Sequence, residues 1–113
     1  VAIGYYSGNQ GQASNSVAIG REAARDNQGT DSISIGRYAG KSGQGDNSVA
    51  LGYLAGATNQ HSGSVILNAS GGALDSTSTN SFYVKPIRGV AHGTGVGALK
   101  YDPTTGEITY STT

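Results

Sequence analysis

The chain has 113 residues, of which 19 are Gly, 14 Ser and 10 Thr, while Val, Ile, Leu and Phe together supply only 20. Charged residues are 12% of the chain and cancel to a formal net charge of zero, which argues against a disordered chain and removes the basic footprint expected for nucleic acid or an anionic membrane. With no Cys there is no disulfide, thiolate metal site or cysteine nucleophile, and no aliphatic run is long enough to insert into a membrane.

The chain opens on Val1-Ala2-Ile3-Gly4, mid-pattern, and is expected to be part of something longer. The quartet recurs as Val17-Ala18-Ile19-Gly20, Ile33-Ser34-Ile35-Gly36, Val49-Ala50-Leu51-Gly52 and Val65-Ile66-Leu67-Asn68, a spacing of 16 residues each time. Ser16, Ser32, Ser48 and Ser64 precede the copies, and Gln12, Gln28, Gln44 and Gln60 stay in register. A fixed period of this length is the signature of stacked repeats. A β-branched/small/β-branched triplet alternates with period two, as a half-buried strand does. Gly4, Gly20, Gly36, Gly52 and the variant Asn68 then mark a sharp turn, where Gly adopts positive φ freely and Asn tolerates it.

The expected fold is therefore all-β, a parallel solenoid over residues 1–72 with coils starting at 1, 17, 33, 49 and 65. A second short strand should carry Ala23, Ala39 and Ala55 inward, and a polar loop should hold the Gln column, which could form an amide ladder. The predicted solenoid core is Val1, Ile3, Val17, Ile19, Ile33, Ile35, Val49, Leu51, Val65 and Leu67. Ala2, Ala18, Ser34, Ala50 and Ile66 then lie on the opposite face, either as a close-packing interface with other chains or simply against water. So thin a coil offsets its ordering entropy poorly, and oligomerisation is the expected source of further burial.

Residues 73–81 are polar and read as a linker. Residues 82–113 read as a C-terminal transition or capping region. Phe82-Tyr83-Val84 is a strand ended by Pro86, and residues 98–111 form a hairpin turning through Asp102-Pro103-Thr104-Thr105-Gly106. Phe82, Tyr83, Tyr101 and Tyr110 are expected to fill a compact end.

The units Ser16-Val17-Ala18-Ile19-Gly20 and Asn47-Ser48-Val49-Ala50-Leu51-Gly52 resemble the head repeats of YadA-like trimeric autotransporter adhesins, with a coil longer than is usual there. The resemblance implies a left-handed β-roll, three chains about one axis and an extracellular location. The run Phe82-Tyr83-Val84-Lys85-Pro86-Ile87-Arg88, with Leu99-Lys100-Tyr101-Asp102-Pro103-Thr104-Thr105-Gly106 and Glu107-Ile108-Thr109-Tyr110-Ser111, is similar to fibre proteins of phages and large DNA viruses ahead of a self-cleaving chaperone domain. That likeness implies a virion fibre and a processing point near Thr113.

Motifs for chemistry are sparse. Gly36-Arg37-Tyr38-Ala39-Gly40-Lys41-Ser42 lacks the spacing of a phosphate loop, and the repeat already explains its glycines. Lone His61 and His92 have no partners at metal-ligand spacing, although three copies of His92 could meet on a trimer axis. Glu22, Asp26 and Asp31 share a coil with Arg21 and Arg25 and are expected to face water. No catalytic residue, cofactor or metal site is expected. The fifth position of each coil, Tyr5, Arg21, Arg37 and Tyr53 flanked by Tyr6 and Tyr38, offers ring faces and planar donors to a glycan or protein receptor, or a purely mutual stack. The expected role is a structural and adhesive module of a homotrimeric surface fibre, viral or cellular, with no nucleic-acid partner. A tailspike-like polysaccharide depolymerase with an inter-chain active site is the alternative, and a monomeric ice-binding solenoid is discounted for want of Thr ladders.

Overall fold

A computed structural model describes residues 1–91 and 93–111. The expectations placed on His92 and Thr113 lie outside the described residues. Every regular element among the described residues is a short strand, and none is a helix. Strands β1 (Ala2–Ile3), β3 (Val17–Ile19), β5 (Ile33–Ile35), β7 (Val49–Leu51), β8 (Val65–Asn68) and β9 (Phe82–Lys85) form one parallel sheet in that order. Strands β2 (Gln10–Gln12), β4 (Asp26–Gln28) and β6 (Ser42–Gln44) form a second. The pairing follows the 16-residue period: Ile19 lies opposite Ile35, Ile35 opposite Leu51 and Leu51 opposite Leu67. The chain is a parallel β-solenoid of about five turns, 50 × 31 × 22 Å.

The corners account for much of the glycine. Gly4, Gly20, Gly36 and Gly52 have φ between +112° and +127°. They also stack backbone on backbone, so that a Cβ on Gly36 would stand 2.8 Å from the Gly52 carbonyl. Only Gly meets both demands. Asn68 departs from the expected turn. It is the last residue of β8, pairs with Lys85, and is not among the positive-φ residues. Its side chain makes the turn instead: Nδ2 donates to the Tyr53 and Gly72 carbonyls at 2.9 and 2.6 Å, and Oδ1 accepts from the Ser70 N–H and hydroxyl.

The two faces of the first sheet are reversed from expectation. Ala18, Ser34, Ala50 and Ile66 are fully buried inside the coil, although they were assigned to the interface between chains. The expected core residues point outward: Val1, Ile3, Ile33 and Ile35 are 69, 58, 37 and 39% exposed, and Val17, Ile19, Val49, Leu51, Val65 and Leu67 are half-buried. Ala2, at the open end, is exposed. Space decides the phase. The turn backbone comes so near the inward column that a Cβ on Gly40 would collide with Ser34 Oγ, and one on Gly8 would lie 3.2 Å from Ala2 Cβ. Between such walls Ala and Ser fit and a β-branched side chain does not. Ile66 is accommodated in the last coil, where it packs with Ala39, Ala50 and Ala55 and against Leu74 and Tyr83.

Ala23, Ala39 and Ala55 are buried as expected, but on the turns between sheets. The strands of the second sheet instead end on Gln12, Gln28 and Gln44, where a polar loop is expected from the sequence. Gln28, Gln44 and Gln60 are buried and cross the interior. Each Nε2 donates to the strand carbonyl 11 residues earlier, Val17, Ile33 or Val49, at 2.8–3.0 Å. Gln44 also donates to Gln60 Oε1 at 3.2 Å and accepts from Ser34 Oγ at 2.7 Å. Ser16, Ser32, Ser48 and Ser64 each donate to the carbonyl three residues back at 2.6 Å, closing the turn into the next strand.

The sheet does not end at residue 72, since β9 pairs with β8 and Val65 lies opposite Phe82, one residue beyond the period. Residues 73–81 act as the return of the fifth coil: Leu74 bridges to Ala55, and Asp75 Oδ1 accepts from Thr58 N–H at 3.1 Å. The hairpin is present as β10 (Leu99–Tyr101) against β11 (Ile108–Tyr110). Asp102 accepts from the Thr104 and Thr105 N–H groups at its turn, which hold its carboxyl below the ordinary value. The aromatic end is not filled, however: Phe82, Tyr101 and Tyr110 are 57, 65 and 67% exposed.

Replacing Gln44 by Ala removes three hydrogen bonds, two of them buried, and strands Ser34 Oγ and Gln60 Oε1. Urea unfolding at fixed chain concentration should show a loss of about 2–4 kcal/mol. Gln12→Ala, at the open end, should cost less than about 1 kcal/mol. Equal losses would contradict the glutamine's role as an internal tie.

Candidate functional site

The columns created by the period place two distinct surfaces on the rod. The first is the outward face of the six-stranded sheet, where Val1, Ile3, Ile33 and Ile35 continue through Val65 and Leu67 to Phe82. Beside its C-terminal end, Val65, Phe82, Val84, Leu99, Tyr101 and Ile108 line an apolar groove of about 960 Å³ between the sheet and the hairpin. A contiguous aliphatic face, on a rod whose interior is Ala, Ser and Gln apart from Ile66, is a candidate interaction surface.

The second surface is the corner that follows each outward strand. The Arg37 guanidinium carbon lies 4.7 Å from the Tyr53 ring centroid and 5.2 Å from that of Tyr38. The two rings are 6.2 Å apart and inclined at 44°. Arg21 stands 5.9 Å from the Tyr5 ring, and Tyr5 and Tyr6 are 4.3 Å apart. All six residues singled out from the sequence are thus on one corner, in two groups, and their mutual stacking is real. Tyr5, Tyr6 and Tyr53 are 63, 50 and 36% exposed, so ring faces remain open to solvent.

Sequence reading missed Lys41 here. Its Nζ lies 4.7 Å over the Tyr38 ring and 3.6 Å from Glu22 Oε2. The available signal was that Lys41 and Arg25 hold the same coil position one period apart. Glu22, in the column of Tyr6 and Tyr38, is buried rather than water-facing. It receives Arg25 at 2.8 Å and Arg21 and Lys41 at 3.6 Å. Arg25 also holds Asp26 at 2.9 Å, and its guanidinium is raised above its ordinary value chiefly by that partner. The corner carries Arg21, Arg25, Arg37 and Lys41 against Glu22 and Asp26, an excess of positive charge on a neutral chain. No cluster of His, Asp or Glu suited to a metal ion occurs among the described residues. His61 is half-buried with Nδ1 2.8 Å from Ser76 Oγ.

At the last coil, Tyr83 Oη accepts from the Thr77 and Ser78 N–H groups, both at 3.0 Å. Hydrogen bonding with the Ser78 and Thr77 hydroxyls and the Thr77 N–H pulls the phenol down to about 7.

Comparison with known proteins agrees with this geometry. The family model of the YadA head domain repeat matches two copies over residues 44–62, within the third to fourth coils. Neither the comparison with curated proteins nor that with solved structures gives a match. Among the described residues no helix is long and apolar enough to cross a membrane.

Tyr83 supplies a pH dependence of defined sign. An unfolded tyrosine ionises near ~10, so the folded chain binds fewer protons between about 7 and ~10. Stability should rise with pH through that window, and the contribution should be absent below it. Absorbance at 295 nm should show one tyrosine titrating near neutrality, lost in Tyr83→Phe. Titration of every tyrosine above about pH 9 would contradict the assignment.

Proposed function

We propose that the chain is a structural and adhesive module of a homotrimeric extracellular fibre. The observation that carries this reading is the exposed aliphatic face of the first sheet. Val, Ile and Leu repeat there coil after coil, while the interior, apart from Ile66 in the last coil, holds small and amide side chains. Burying that face against two further copies supplies the apolar area that each coil lacks. The YadA head repeat match supports a trimeric adhesin-like surface module. The C-terminal likeness to fibre proteins of phages and large DNA viruses favours a virion fibre over a cell-surface adhesin.

The mechanism is multivalent display. Three equal surfaces on a stiff rod convert weak contacts with a host-surface glycan or protein receptor into avidity. The tyrosine and arginine corner lies beside the proposed interface rather than in it, and so stays open on each chain. The role is non-catalytic: Glu22 and Asp26, the neighbouring carboxylates, are both tied to Arg25, and a glycosidase pair would need to be free across a cleft.

Light scattering should give a molar mass near three times 11.3 kDa. Ile35→Asp, outward on β5, should lower it toward the single-chain value while far-UV circular dichroism remains β-type. Ala50→Leu, inward on β7, should instead destabilise the coil by about 1–3 kcal/mol. A wild-type chain that stays monomeric at high concentration would overturn the trimer.

A further inference from the structure

We infer that Arg37, Tyr38 and Tyr53 form a binding site for a carboxylated saccharide. This rests on the reading of the rod as an adhesive module and names the class of ligand its corner takes.

Four features of the corner lead there. Arg37 has no carboxylate within ion-pair distance among the described residues, whereas Arg21 and Lys41 reach Glu22 and Arg25 reaches both Glu22 and Asp26. Its guanidinium carbon lies over two rings, 4.7 and 5.2 Å from their centroids. Tyr38 and Tyr53 are inclined at 44° with centroids 6.2 Å apart, and the Arg37 guanidinium lies over both rings. Lys41 lies over Tyr38 at 4.7 Å and raises the local positive charge.

A ligand for this site needs an anionic group for a planar fork of N–H donors and an apolar face for a phenol ring. A carboxylate satisfies the fork with two parallel hydrogen bonds. The C–H face of a pyranose satisfies the ring. A uronic or other acidic sugar carries both within one residue. Nucleic acid supplies an anion and a ring, but the chain is neutral overall, and backbone recognition needs many cations along a track. Because the site is exposed, single-site affinity will be weak, and repetition on several chains is what makes it useful.

The test is isothermal titration of the 113-residue chain with a hexuronic acid oligosaccharide, its carboxyl-reduced counterpart and a sulfated neutral oligosaccharide, with molar mass measured on the same samples. The acidic oligosaccharide should bind and the reduced and sulfated ones should bind at least about tenfold more weakly. Arg37→Gln and Tyr53→Leu should each weaken binding by about tenfold or more. Arg37→Lys, which keeps the charge without the planar fork, should fall between, and Lys100→Gln on the hairpin should leave binding unchanged. Circular dichroism of each variant separates lost binding from lost folding. Equal binding of the acidic and reduced sugars, equal binding of the sulfated one, or full binding by Arg37→Gln would each overturn the assignment. A trimer that binds none of the three refutes the site while the fibre reading stands. A monomer that binds the acidic sugar refutes the trimer while the site stands.

Discussion

Each complete coil is closed by a glutamine side chain that reaches through its interior to a strand carbonyl on the other sheet, and the rest of the molecule is arranged around that span. An amide buried in so narrow a space must be satisfied by groups within reach. The strand carbonyl and, at Gln44, Ser34 Oγ and the next Gln supply them. This leaves room only for Ala and Ser beside it, so the large aliphatic side chains are forced to the outside of the sheet. The polar interior and the apolar exterior are thus one constraint seen from two sides. Gln28 marks its limit: its Oε1 has no partner among the described residues, since Ala18 stands where Ser34 serves Gln44 and no neighbouring amide donates to it as Gln44 does to Gln60.

Function follows from the same inversion. A coil that spends its glutamines and alanines on its own closure has its Val, Ile and Leu columns free for other chains. The corner after each outward strand is built differently. There Gly20, Gly36 and Gly52 take the strain of the bend, and the next residue projects beyond the sheet edge. That is where Arg21, Arg37 and Tyr53 stand, so a stacked column of rings and cations comes from the turn geometry rather than from a pocket. On the proposed reading the exposed face serves assembly and the corner serves recognition.

Much of this was legible in the residues. The 16-residue period placed the first five strands of the first sheet, their parallel register, the glycine corners and the shared corner of Tyr5, Arg21, Arg37 and Tyr53, but not β9, which joins the sheet one residue out of period. The C-terminal hairpin was equally plain from Asp102-Pro103 and Gly106 between two short alternating runs. What could not be read was the phase. Val17-Ala18-Ile19 alternates identically whichever face is inward, and the expectation that β-branched residues fill a core pointed the wrong way. Only the distance between opposing walls, seen at Gly40 against Ser34, settles it. The glutamine strand escaped notice for a related reason, since Asp26-Asn27-Gln28 has none of the composition of a strand, Asn27 stands at positive φ in its middle, and Gln28 alone of the three reaches across the coil. Asn68 was misplaced because its propensity for positive φ was read in the backbone, where in fact its amide does the work.

The central claim is that the alanine and serine column lies within the coil and the isoleucine column between chains. Since the chain has no Cys, single-cysteine variants at Ser34 and Ile35, neighbours on one strand, test it directly with a short bismaleimide. The expected result is covalent linkage of chains through position 35, with position 34 unreactive until urea unfolds the coil. Rapid labelling or crosslinking at position 34, with position 35 protected inside a single chain, would contradict the account.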